Sequence, residues 1–167
     1  MAELSISRRN LIAGGAAALA GAMLVSMRAG AVTPATGKFA VSFTPAQWRA
    51  KLSPAAYAVL REASTERPFS SPLNNEHAVG TFICAGCALP LFASSTKFDS
   101  GTGWPSFWAP LPKAIGRTTD STFGMERTEV HCVRCGGHQG HVFDDGPKPT
   151  GLRYCINGVA LQFVAKA

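Results

Sequence analysis

The chain has 167 residues, a formal charge of +6 and 46% hydrophobic residues, the composition of an ordinary globular chain rather than a disordered or fibrous one. It contains no run of five or six basic residues, so the mild positive excess marks no nucleic-acid surface.

The first segment reads as a targeting signal. Arg8 and Arg9 precede an apolar, Ala- and Gly-rich run from Leu11 to Val25, and Ala29-Gly30-Ala31 fits a small-x-small cleavage site. The run is short for a transmembrane helix, and Gly14, Gly15, Gly21 and Gly30 weaken it as a packed one. Ser7 followed by the arginine pair resembles a bacterial twin-arginine export address. Residues 1–31 are therefore expected to be a signal peptide, directing the chain to the periplasm with no membrane attachment after cleavage. Residues 32–42 are small and polar and read as a linker, which leaves 43–167 as one domain.

Thr44 and Pro45 open a helix in which Trp48 and Leu52 recur at i, i+4. Ser53-Pro54 restarts a second, with Tyr57, Leu60 and Arg61 on one face through about Ala63. Residues 64–80 carry three turn clusters and no period. From Thr81 onward, short apolar segments alternate with Gly, Pro, Asp or Asn about every eight to twelve residues, which predicts short antiparallel strands.

Cys84 and Cys87 ("CAGC") and Cys132 and Cys135 ("CVRC") form two Cys-x-x-Cys knuckles, with Gly86 and Gly136 helping each turn. Two knuckles can present four thiolates tetrahedrally to one Zn²⁺. Disulfides are the alternative in an exported chain, but they would not need the repeated spacing, and a redox dithiol needs only one such motif. A folded export substrate could also load its metal in the reducing cytoplasm.

Cys155 is left over, in a predicted strand "GLRYCINGVALQF". Period two puts Arg153, Cys155 and Asn157 on one face, with Tyr154 and Ile156 on the other. A guanidinium and an amide beside a thiol favour the nucleophilic thiolate over an inert buried cysteine. His138 and His141 precede it in "GGHQGHVFDDGP", where an aspartate could orient a ring that exchanges protons near neutrality. A solvated loop is the alternative there. In "SGTGWPSFWAPL", Gly101, Gly103, Pro105, Pro110 and Pro112 break regular structure around Trp104, Phe107 and Trp108.

"CAGC", "KFDSGTGWPSF", "EVHCVRCGGHQGHVFDDGP" and "LRYCINGVAL" together resemble the B-type methionine sulfoxide reductases, which reduce the R epimer of methionine sulfoxide. "FTPAQWRAKLSPAAYAVLREASTERPFS" is similar to that family's N-terminal portion, so the resemblance runs from about Phe43 to Phe163. It implies a mainly β fold, two small antiparallel sheets forming a tent with short N-terminal helices and a structural zinc at Cys84, Cys87, Cys132 and Cys135. It also implies that Cys155 attacks the sulfoxide sulfur and becomes a sulfenic acid, while His141, with His138 beside it, protonates the departing oxygen. Asp145 would support the histidine pair, Arg153 and Asn157 would position and polarise the site, and Trp104 would receive the substrate methyl group.

Many members of that family carry a resolving cysteine where this chain has Thr102, and no cysteine precedes Cys84. The resemblance thus implies a sulfenic acid reduced directly by a thioredoxin-like protein or another thiol donor. The expected substrate is methionine sulfoxide in oxidised exported proteins, acted on by a monomer. A non-catalytic zinc module would not need Cys155, Arg153, Asn157 and the histidine pair together, and a thiol peroxidase would have no use for a methyl-accepting tryptophan.

Overall fold

The computed structural model describes residues 37–166. The predicted signal peptide and residues 32–36 of the predicted linker lie outside these residues.

Two short helices open the described chain. Helix α1 (Pro45–Lys51) begins with a capping box in which Thr44 and Gln47 satisfy each other's backbone N–H groups. Helix α2 (Pro54–Glu62) is capped by the Ser53 hydroxyl and ends at Ala63 in the left-handed conformation, φ 52°. Trp48 and Leu52 are buried, as their spacing predicted. In α2 the buried stripe is Ala56, Val59 and Leu60, with Tyr57 half-buried beside it. Arg61 is not part of that stripe: its guanidinium lies over the Trp48 ring and donates to the Cys135 carbonyl, tying the helices to the second knuckle.

Nine strands follow, all paired antiparallel, in two sheets. The smaller contains β1 (Gly80–Cys84), β2 (Pro90–Ala93) and β9 (Leu161–Ala165) in the order β2-β1-β9. The larger has the order β3-β4-β8-β7-β6-β5, where β3 is Lys97–Phe98, β4 Ser106–Phe107, β5 Ile115–Asp120, β6 Arg127–Cys132, β7 His138–Phe143 and β8 Arg153–Ile156. The fold is the expected mainly β, two-sheet arrangement with short N-terminal helices. Its aromatic centre is Phe82, Phe92, Phe107 and Tyr154, with Phe92 stacked on Phe107 at 4.4 Å and Phe82 edge-on to Phe107 at 4.9 Å. Phe107 therefore anchors the "SGTGWPSFW" loop by burial.

The segment "GLRYCINGVALQF" is two strands, not one. The chain leaves the large sheet after Ile156, turns through a 3₁₀ segment at Gly158–Ala160 and enters the small sheet, where Leu161 opposes Cys84. The Glu66 carboxylate holds this turn by accepting from the N–H groups of Gly158 and Val159. The apolar alternation slips by one residue at the break, from Tyr154 and Ile156 to Val159, Leu161 and Phe163 across Asn157-Gly158, a phase change that the single-strand reading passed over.

Candidate active site and metal centre

Cys155 lies in the middle of the large sheet, opposite His141 on one side and Ser106 on the other. His141 in turn opposes Glu129. Directly opposed residues share a sheet face, so Glu129, His141, Cys155 and Ser106 form one row across four strands. Arg153, two residues from Cys155 and opposite Phe143, faces the same side.

A bulge completes this face. His138 and His141 are three residues apart, which in a regular strand would put them on opposite sides. Val130 opposes Gly140 and His131 opposes His138, leaving Gln139 as an extra residue in β7. The extra residue brings the two imidazoles together, with ring centroids 5.4 Å apart. Gly140 beside it is dictated by space, because a Cβ there would stand 2.0 Å from the Cys155 carbonyl oxygen.

Each imidazole is held through one nitrogen by a buried carboxylate. His141 Nε2 lies 2.8 Å from Asp120 Oδ2, and His138 Nδ1 lies 2.8 Å from Glu129 Oε1. Burial opposes ionisation of both acids, but their partners prevail. The Thr122 hydroxyl and N–H, His141 and Arg127 hold Asp120 well below the usual carboxylate range, and His131 and His138 hold Glu129 at about 2. Asp120 and Glu129 are thus ionised acceptors, and the facing ring nitrogens donate to them. Burial pushes the His141 pKa down, with Arg127 and His138 adding to that and Asp120 opposing it. The outer nitrogen of His138 is buried and unpartnered.

The thiol sits among hydroxyls. Thr102 Oγ1 is 3.9 Å from Cys155 Sγ, and Ser100 Oγ bridges Thr102 and Ser106 at 2.8 and 2.7 Å. Burial pushes the Cys155 pKa up, and it outweighs the opposing pull of Thr102 and Arg153. Asp145 is not beside the histidines: it accepts a bidentate pair from Arg153, both bonds 2.8 Å. The expectation that Asp145 supports the histidine pair is corrected to Asp120 and Glu129, because the strand carrying the histidines ends before Asp145 and turns it toward β8.

A cavity of about 140 Å³ opens over the thiol, lined by Trp104, His141, Cys155 and Asn157 together with Thr65, Arg127, Gly140 and Phe143. Trp104 is oriented by its indole N–H, which donates to the Glu66 carbonyl at 3.2 Å. Asn157 shapes the wall, but its amide is committed elsewhere, accepting from the Glu66 N–H and donating to the Gln139 carbonyl. His138 and Arg153 stand behind the cavity lining. The arrangement puts an aromatic wall, a thiol and a carboxylate-held imidazole around one small space, which suits a small group with an apolar end and a proton-accepting end.

Asp120, Glu129, Glu66 and Gln139 were missed by sequence reasoning. Only Glu129 left a local signal, the alternation of Arg127, Glu129 and His131 along β6. Asp120 and Glu66 reach the site through strand register or from a loop distant in sequence, and Gln139, although inside the His138–His141 motif, reaches it through the bulge.

The two knuckles meet at the junction of the sheets, with Cys84 ending β1 and Cys132 ending β6. All four sulfurs lie within 4.8 Å of one another, with Cys84–Cys135 at 3.7 Å and Cys87–Cys132 at 3.5 Å. A tetrahedral site with metal–sulfur bonds of about 2.3 Å has sulfur–sulfur edges of about 3.8 Å, so the donor set fits a structural metal ion. The left-handed residue of the second knuckle is Gly136, as expected, but in the first it is Ala88 rather than Gly86.

Comparison with known proteins bears on the family of this chain. The SelR domain matches residues 52–165. The chain is 58% identical over 124 residues to the peptide methionine sulfoxide reductase MsrB of Thiobacillus denitrificans, covering 74% of this chain and 94% of that protein. It is 57% identical over 121 residues to the MsrB of Bradyrhizobium diazoefficiens, covering 72% and 87% of the two chains. With a domain match over most of its length and relatives of this identity, the chain belongs to the B-type methionine sulfoxide reductases, a family of oxidoreductases.

Proposed function

We propose that this chain reduces the R epimer of methionine sulfoxide, mainly in peptides, through nucleophilic attack by Cys155. The carrying observation is the pairing of His141 with Cys155 across β7 and β8, with Trp104 on the same cavity. The Cys155 thiolate attacks the sulfoxide sulfur, and His141 delivers a proton to the oxygen, which is a poor leaving group without it. The methyl group rests on the Trp104 ring. The protonated oxygen then passes from the methionine sulfur to the Cys155 sulfur as the new sulfur–sulfur bond breaks, which releases methionine and leaves Cys155 as a sulfenic acid. A thiol donor then condenses with the sulfenic acid, releasing water, and a second thiol reduces the mixed disulfide.

Direct reduction by a thioredoxin-like or other thiol donor follows from the residue beside Cys155. Thr102 occupies the position where a resolving thiol would stand, and the remaining four cysteines cluster together. Their all-sulfur donor set favours zinc, which would stabilise the fold without entering the chemistry. Twin arginines before a short apolar run support export and repair of proteins outside the cytoplasm; an N-terminus starting near residue 32 on protein recovered from the periplasm is the expected result.

Turnover of the separate R and S epimers of dabsyl-methionine sulfoxide tests the reaction. The wild type should consume R alone, and Cys155→Ser should consume neither. Activity on S alone, or full activity of Cys155→Ser, would overturn the reading.

A further inference from the structure

Gln139, the extra residue of the β7 bulge, is fully buried between the cysteine cluster and the catalytic cavity. A buried amide needs partners, and Gln139 finds them for its side-chain NH₂ and its main-chain carbonyl, while its Oε1 is buried without one. Its side-chain Nε2 donates to Cys84 Sγ at 3.6 Å and to the Gly137 carbonyl at 3.3 Å. Its main-chain carbonyl accepts from both the N–H of Asn157, at 2.8 Å, and the Asn157 side-chain amide, at 3.0 Å.

The contacts continue past Asn157. Asn157 Oδ1 accepts from the Glu66 N–H at 2.9 Å, and the Glu66 carbonyl accepts from Trp104 Nε1 at 3.2 Å. One hydrogen-bonded path therefore runs from a cluster sulfur to the aromatic wall of the cavity. It passes through three residues, each buried or half-buried, where bonds are stronger than in water. A leucine or methionine at 139 would fill the bulge equally well and supply no N–H to the sulfur.

We propose that Gln139 is a positioning residue for substrate binding, coupling the metal-bound Cys84 thiolate to the placement of Trp104. The inference rests on the reading of the cysteine cluster as a metal site. A charged, metal-bound sulfur is the better acceptor for the Gln139 amide, so metal binding sets the bulge, the bulge sets Asn157, and Asn157 sets the Glu66 carbonyl on which Trp104 hangs. Coupling of this kind is reciprocal: a ligand against Trp104 must be felt at the metal.

The test uses the full chain carrying Cys155→Ser to prevent turnover, loaded with cadmium-113 and titrated with racemic N-acetyl-methionine sulfoxide methylamide. The cadmium resonance should shift on saturation when Gln139 is present. It should stay still in Gln139→Met, which conserves volume but removes the donor, and in Trp104→Phe, which lacks the terminal N–H. With Cys155 intact and metal content full, Gln139→Met should raise KM about fivefold, the loss of one buried hydrogen bond, with kcat changed less than about twofold. Gln139→Leu serves as a second donor-free variant if the methionine protein is unstable. An equal shift with and without Gln139, or an unchanged KM, would overturn the coupling and leave the metal reading standing. A protein that takes up no cadmium would overturn both.

Discussion

Asp120 Oδ2 accepts from His141 at 2.8 Å and from Arg127 at 2.6 Å, so one buried carboxylate oxygen orients the imidazole opposite Cys155. Because Asp120 is held ionised, the His141 nitrogen facing it carries the hydrogen, which leaves the other nitrogen for the proton transfer of the proposed reaction. Asp120→Asn should lower kcat/KM about 10- to 100-fold, the usual cost of removing the carboxylate behind a functional imidazole. Asp145→Asn, which disturbs only Arg153, should cost less. Steady-state kinetics on R-methionine sulfoxide compares the two, and a larger loss in Asp145→Asn would reverse the assignment.

The proton count of the site predicts its pH profile. The proposed attack needs one proton shared by the Cys155–His141 pair: thiol with neutral imidazole, or its equivalent, thiolate with imidazolium. Burial lowers the His141 pKa from 6.5 and raises the Cys155 pKa from 9.0. Below the His141 value a second proton is bound and the thiolate fraction falls; above the Cys155 value no proton remains for the oxygen. The profile of kcat/KM should therefore be a broad bell, its acid limb below 6.5 and its alkaline limb above 9.0. A maximum confined near pH 5, or above pH 10, would contradict the pairing.

Thr102 stands 3.9 Å from the Cys155 sulfur, close enough for a thiol at that position to reach it with small adjustment. After one equivalent of sulfoxide without reductant, the wild type should give a dimedone adduct on Cys155. In Thr102→Cys the adduct should be replaced by an intramolecular disulfide, seen as the loss of two hydrogens by intact-mass measurement. A disulfide at Cys155 in the wild type would sink the one-cysteine cycle.

The four-cysteine cluster joins the ends of β1 and β6, the only point where the cysteines of the two sheets meet among the described residues. Cys132→Ser should abolish metal binding, measured as one ion per chain in the wild type by elemental analysis. It should also lower Tm by roughly 10 °C, the equivalent of a few kcal/mol for a domain of this size. Retention of a full ion in Cys132→Ser would show that the four sulfurs are not a single site.

The sequence by itself determined the elements whose signals are local. Helix caps at Thr44 and Ser53, the paired Cys-x-x-Cys knuckles, and the alternation that sets Cys155 apart from Tyr154 and Ile156 depend on residues a few positions apart. Tertiary structure decided the rest, because strand register and crossover connect residues with no local relation. Asp120 reaches His141 only through the pairing of β5, β6 and β7, and Asp145 lost that role to it. His138 faces His141 only because Gln139 bulges out of β7, and the strand reading of 151–163 broke where Glu66, far earlier in the chain, caps a turn at Gly158. Chemistry was legible in which residues are present; which carboxylate serves which imidazole was settled by how the sheet closes around them.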